Sequence, residues 1–270
     1  MILGRVLIAG VAFVAVAAVA QQAVMQVTPP PANFFAQKSY LAPGDIPDGV
    51  VLNPPAPETG SATEVRDIEA SKAALALRGT ARWDLARRDA DLFSPTATAT
   101  YSCAAGITIG AATTPKINAL MLRAARDLAM ATRATKQKYM RKRPFMVNGQ
   151  PTCTPEQEKL LAGDGSYPSG HSAIGWGWGL ILSEVVPSRA TQLVARGRAF
   201  GDSRRICNVH WLNDTEEGRI DADAVLARLH AEPAFLADVA AAREEARALA
   251  GTSLPSAESC AAEAAALAMH

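Results

Sequence analysis

Pro115-Lys116-Ile117-Asn118-Ala119-Leu120-Met121-Leu122-Arg123-Ala124-Ala125-Arg126-Asp127-Leu128 decides the fold class. Ile117, Leu120, Met121, Ala124 and Leu128 fall at i, i+3, i+4, i+7 and i+11, one apolar face at helical period. Pro115 suits a first helical turn, where a missing N–H costs no intrahelical bond. A long amphipathic helix therefore opens at Pro115.

Helical signals continue on both sides of it. Residues 64–92 are rich in Ala, Leu, Arg, Asp and Glu, with Gly79 as a break. Residues 93–114 are a Thr-, Ala- and Gly-rich loop. Thr154-Pro155-Glu156-Gln157 combines a capping box with a proline at the first helical position. An apolar stretch from Ala173 to Val186 stops at Pro187, and Ser188 caps a helix through Phe200. Asp214 to Glu217 reads D-x-x-E ahead of a helical run to His230, and Pro233 opens a last helix ending near Ala250. No period-two alternation and no internal repeat interrupts the pattern. The expectation is all-α, a single compact helical domain.

The chain has 270 residues, enough for one sizeable core. Lys plus Arg number 27 and Asp plus Glu 26, so no global charge favours nucleic acid or an anionic membrane. Residues 1–20 read as a secretory signal: Arg5, an apolar run from Val6 to Val19, then small residues ending at Ala20. The run is short for a membrane span. Removal near Ala20 takes the formal charge from +1 to 0. Residues 21–62 are a Pro/Gly-rich arm, either disordered or packed on the body; Phe34, Phe35, Tyr40, Val50, Val51 and Leu52 favour packing. Residues 63–250 are then the helical domain and 251–270 a C-terminal tail. An exported chain with an even number of cysteines permits disulfides. Cys103 and Cys153, both in loop-like sequence, are the preferred pair. Cys207 reads equally as a buried thiol or as a partner of Cys260.

Of four histidines, His230 and His270 read as surface groups. His171 follows Tyr167-Pro168-Ser169-Gly170 at a helix start, where free N–H groups and the Ser169 hydroxyl form an anion site. Taken alone, an N-cap with an incidental histidine explains it as well. Ser203-Arg204 precedes His210 by a five-residue gap, and Asp214 follows four positions on. That spacing lets a carboxylate orient an imidazole while Arg204 offers a fork for phosphate oxygens. Lys136, six residues, then Arg143-Pro144 is weaker, because Lys138, Arg141 and Lys142 make the region basic anyway. Pro144 should end a helix near Arg143, with Lys136 two turns back on the same side.

The order Lys-x6-Arg-Pro, Pro-Ser-Gly-His, Ser-Arg-x5-His-x3-Asp is the signature of the type 2 phosphatidic acid phosphatase superfamily. Gly165–Ser172, Ser183-Glu184-Val185-Val186-Pro187, Ile206–Trp211 and Cys153–Glu158 further resemble the class A bacterial non-specific acid phosphatases. That resemblance implies the helical fold shared with vanadium haloperoxidases, a periplasmic or secreted location and no metal or other cofactor. It implies small phosphomonoester substrates, with no nucleic acid, no membrane for the mature form and room for a homo-oligomer. By motif position, His210 is the nucleophile, Asp214 its orienting group and His171 the acid, then base. Lys136, Arg143, Ser169, Gly170 and Arg204 hold phosphate. Arg205 departs from the family, which more often has an apolar residue there. The rival readings are a vanadate-dependent haloperoxidase-like enzyme, a diphosphohydrolase or lipid phosphatase with the same pocket, and a non-enzymatic phosphate binder.

Overall fold

The computed structural model describes residues 38–269. The 1–20 signal, its cleavage position, Phe34, Phe35 and His270 lie outside the described residues. Helices follow one another as α1 (Gly49–Leu52), α2 (Ala62–Leu75), α3 (Ala81–Arg88), α4 (Ser102–Ala105), α5 (Pro115–Ala131), α6 (Arg133–Tyr139) and α7 (Pro144–Asn148). Then come α8 (Glu158–Ala162), α9 (Gly170–Val185), α10 (Ala190–Ile206), α11 (Leu212–Leu229), α12 (Pro233–Leu249) and α13 (Ala257–Leu267). Among the described residues there is no strand, and no helix is long and apolar enough to cross a membrane.

The centre is α9, packed on α5, α10 and α11. The apolar face expected of α5 is the buried one: Ile117, Leu120, Met121, Ala124 and Leu128 are all lost to solvent. Two glycines let α10 lie directly on α9. A Cβ on Gly175 would sit 2.3 Å from the Phe200 ring, and one on Gly179 2.8 Å from the Leu193 carbonyl. Phe200 fills that space beside Trp178 and Tyr101, and burying such a ring contributes about 2–3 kcal/mol. The close approach fixes the C-terminal end of α10, from which Arg204 projects.

Several boundaries differ from the sequence expectation. The helix carrying Lys136 ends at Tyr139, because Met140 takes a left-handed φ of 41°; residues 141–142 are non-helical before Arg143 caps α7. The Thr154 hydroxyl caps nothing; Glu158 instead accepts from the Thr152 amide and hydroxyl. The helix after Ser188 runs on to Ile206, so Arg204 is helical. Segment 251–270, expected as a tail, carries α13, which packs on α3 and α4.

The Cys103–Cys153 pairing is not what forms. Cys103 bonds Cys260 and Cys153 bonds Cys207. Docking of α13 on α4 brings the first two Cα atoms to 5.3 Å. The Cys153 amide donates to the Cys207 carbonyl, which sets the second pair at 4.8 Å. Neither juxtaposition can be read from local sequence.

Residues 38–58 pack against the body. The Tyr40 and Leu41 amides donate to Asp127, and Asn53 Nδ2 donates to Asp221 Oδ1 at 2.9 Å. Val51 remains exposed. Asp221 is fully buried, and its Oδ2, like Asn53 Oδ1, makes no hydrogen bond among the described residues. Burial pushes this carboxyl up to about 7. The folded protein thus holds a proton that the unfolded chain releases between about pH 4 and 7, so stability falls as pH rises through that window. Asp221→Asn removes the penalty. We expect its melting temperature to exceed wild type by several degrees at pH 8 and to match it near pH 4, read by calorimetry. An equal shift at both pH values would overturn this assignment.

Candidate active site

The Tyr167–Pro168 bond is cis, and Ser169 caps α9, its Oγ accepting from the Ser172 amide at 3.2 Å. This cap is pinned to α11. The Ser169 amide donates to the Asp214 carbonyl at 2.8 Å. A Cβ on Gly218 would sit 2.4 Å from the Ser169 carbonyl, so only glycine lets the two segments meet. Gly170 then opens α9 and His171 follows in its first turn. His171 Nε2 lies 3.1 Å from the Ala90 carbonyl. A carbonyl only accepts, so Nε2 carries the hydrogen and Nδ1 is the basic atom.

At its other end α10 stops at Cys207, and Asn208 turns the chain through a left-handed φ of 62°. Its side chain is held by Asn148 and the Gln150 carbonyl, which offsets the strain of that conformation. The Val209 and His210 amides then fold back on the Arg204 carbonyl, and Trp211 is the N-cap residue of α11. Asp214 sits in the first turn of α11, not ahead of it. Its Oδ2 accepts from the Trp211 amide at 2.9 Å and lies 3.3 Å from His210 Nδ1. Its Oδ1 accepts from Arg141 at 2.7 Å. On the far side of the ring, Arg143 Nη1 is 3.0 Å from His210 Nε2. Arginine only donates, so Nε2 presents its lone pair and Nδ1–H points at Asp214.

Three cations surround the imidazoles. Lys136 Nζ donates to the Gly165 carbonyl at 2.6 Å and lies 3.5 Å from Asp164. Arg143 is held by the Leu161, Asp164, Gly165 and Val209 carbonyls and by the Asp164 carboxylate at 3.2 Å. The turn at Met140 thus brings Lys136 and Arg143 to one carbonyl without a shared helix. Arg204 differs: it is fully buried, yet none of its three guanidinium nitrogens has a hydrogen-bond partner among the described residues.

Burial and mutual repulsion act together here. Desolvation, aided by Arg143, lowers Lys136 to about 8 and Arg204 to about 9. Desolvation and the neighbouring cations hold His210 and His171 well below the ordinary imidazole range. Both surroundings therefore favour the neutral imidazole in the free site. Such a site is short of negative charge, and an anion bound between its cations would relieve each of them.

Arg143 and Arg204 thus lie close enough to both His171 and His210 to act on their charge, Lys136 does so on His210, and Asp214, at His210 Nδ1, also accepts from the Ser169 amide through its carbonyl, with Gly170 next in the chain. His230 lies apart, bonded to Glu184. Four contributors were not singled out from sequence. Arg141 looked like one more charge in a basic run, and Asp67, which binds it, like an ordinary helix carboxylate. Asp164 lacked any flanking motif, and the Ala90 carbonyl has no side-chain signal at all.

Residues 117–231 match the family model described as the PAP2 superfamily. An acid phosphatase of Zymomonas mobilis is 38% identical over 198 residues, covering 73% of this chain and 75% of its own. A non-specific acid phosphatase of Providencia stuartii is 38% identical over 220 residues, covering 80% and 89%. One from Salmonella typhimurium is 39% identical over 193 residues, covering 71% and 77%.

Proposed function

Since the chain belongs to the PAP2 superfamily and is an acid phosphatase, we propose that it cleaves small phosphomonoesters through a phosphohistidine on His210. The observation that carries this reading is the buried, unpartnered Arg204 guanidinium beside the His210–Asp214 pair. A planar fork in that state suits phosphate oxygens. Lys136 and Arg143 complete a cationic shell that neutralises the transferring group, a role Mg²⁺ fills elsewhere.

In this reading the His210 Nε2 lone pair attacks phosphorus, and the P–O bond to the leaving alcohol breaks. Arg143, which donates to Nε2 in the free site, redirects that hydrogen bond to a phosphoryl oxygen and stays charged. Asp214 holds Nδ1–H and balances the positive charge on the phosphorylated ring. His171 passes a proton to the leaving oxygen. Water then attacks phosphorus, gives a proton to His171, and the P–N electrons return to Nε2. Residues 1–20 would direct the chain to the periplasm or outside the cell.

The proton for the leaving group needs a source, because the surroundings of His171 favour its neutral form in the free site. A monoester monoanion brings one, and it disappears above about pH 6, the second pKa of a phosphate ester. Activity is therefore expected on the acid side, and the basic limb of kcat/KM should follow the ester's own pKa. Comparing alkyl and aryl monoesters of different second pKa checks this. A limb fixed at one pH across them would assign it to an enzyme group.

The shell of Lys136, Arg143 and Arg204 repels a divalent cation, and no group of three His, Cys, Asp or Glu suited to a metal occurs among the described residues. Turnover of p-nitrophenyl phosphate should persist in excess EDTA after dialysis, with orthovanadate as a competitive inhibitor. Loss of activity restored by one added metal would sink the metal-independent reading. Bromide oxidation in the presence of vanadate would favour the haloperoxidase-like alternative.

A further inference from the structure

We propose that Arg141 and Asp67 are a positioning pair that sets how much negative charge Asp214 presents to His210, and thereby the acidity at which His210 can attack. The inference rests on the phosphohistidine reading above but makes a separate claim. Arg141 bridges two buried carboxylates, Nη1 to Asp214 Oδ1 and Nη2 to Asp67 Oδ2, both at 2.7 Å. The other Asp67 oxygen accepts from the Asn213 amide at 2.7 Å, one residue before Asp214. The guanidinium also lies 5.3 Å from the Trp211 ring centroid. Asp67 and Asp214 have no solvent exposure, and the Arg141 side chain has 11%. The chain of contacts therefore runs α2, Arg141, α11, His210.

The charges explain why such a bridge would be needed. His210 faces Arg143 beside α7, Lys136 on α6, Arg204 on α10 and His171 on α9, all disfavouring its protonation, with the Ser166 backbone pulling the other way. Asp214 is the carboxylate at its Nδ1. A bare, buried Asp214 would draw a proton onto the ring, and a protonated ring has no lone pair for phosphorus. Arg141 saturates Oδ1 and limits that pull. Asp67 in turn takes up part of the Arg141 charge, so Arg141 does not cancel the whole pull of Asp214 on the ring. Removing Arg141 and removing Asp67 should thus have opposite effects, which loss of scaffolding alone would not produce.

The test is the pH dependence of kcat/KM on p-nitrophenyl phosphate for wild type, Arg141→Met, Arg141→Lys and Asp67→Asn. In Arg141→Met the acid limb should move up by about one pH unit, the low end for a lost charge at this range. In Asp67→Asn it should move down by about half a unit, since a more distant charge is lost. Arg141→Lys keeps the charge without the fork; its limb should stay within about 0.3 unit of wild type while kcat falls. Limbs that do not move, or that move the same way in Arg141→Met and Asp67→Asn, overturn the proposal. Should Arg141→Met not fold, the downward shift in Asp67→Asn and the retained limb in Arg141→Lys decide it. Quenched labelling with ³²P-substrate accompanies each profile. Absence of label in wild type refutes the phosphohistidine reading itself; label with unmoved limbs refutes only the role of the pair.

Discussion

His210→Ala is expected to form no phosphoenzyme from any substrate and to lose about 10⁴-fold or more in kcat, the scale on which removal of a nucleophile acts. The reason is geometric. His210 Nε2 is the ring atom whose lone pair can turn to phosphorus once Arg143 gives up its hydrogen bond to it, because Nδ1–H is directed at Asp214. His171 has the opposite arrangement, with Nε2–H spent on the Ala90 carbonyl. His171→Ala should therefore still label His210 from p-nitrophenyl phosphate, whose leaving group needs little protonation. It should then release phosphate slowly, because the base for water is gone, a loss of about 10²–10⁴-fold. Rapid-quench labelling reads both variants. The label must be acid-labile and base-stable, present in wild type and accumulated in His171→Ala. If His210→Ala keeps it while His171→Ala loses it, the two roles are reversed.

Arg204→Met should abolish useful phosphate binding and, at the same time, make the phosphate-free protein more heat-stable. Arg204 is a buried cation with no hydrogen-bond partner among the described residues, lowered to about 9 by its surroundings. Replacing a buried ion with an apolar side chain of similar volume can stabilise by about 1–4 kcal/mol. For a domain of this size that is roughly 3–10 °C in melting temperature. Wild type should recover the difference when phosphate or vanadate is added, because a ligand that binds only the folded state stabilises it. The variant should not respond. Calorimetry with and without phosphate, beside a kcat/KM measurement, separates the outcomes. A variant that melts lower than wild type without phosphate would show that Arg204 is a structural cation, and the phosphate assignment would fall with it.

The all-α class was legible because a single period carries it. The face of α5 was named residue by residue and is the buried one. The site was legible for a different reason: His171, His210 and Asp214 sit at helix ends, where capping, proline and glycine mark position strongly. What escaped notice lay between elements. The chain's turn at Met140 depends on a left-handed residue with no glycine to announce it. Arg141 faces inward only because that turn redirects it, so its neighbours in the basic run disguise it. The cysteine partners failed likewise, since Cys260 reaches Cys103 through the docking of a helix whose position no local pattern encodes. The D-x-x-E at Asp214 gave the right helix but the wrong start, because Trp211 provides the cap position and Asp214 reaches back to its amide.

The two disulfides impose an order on how the chain can be assembled. Cys153–Cys207 spans 54 positions and ties the segment before α8 to the turn that carries His210, so it can close once the α10–α11 turn has been made. Cys103–Cys260 spans 157 positions and waits for α13, the last helix among the described residues. In a chain-entropy model the longer loop also removes about 1 kcal/mol more freedom from the unfolded chain. The bond beside His210 is thus the early one. A chain cut short before α13 would retain the covalent frame of the turn that carries His210 while losing the clamp between α4 and α13.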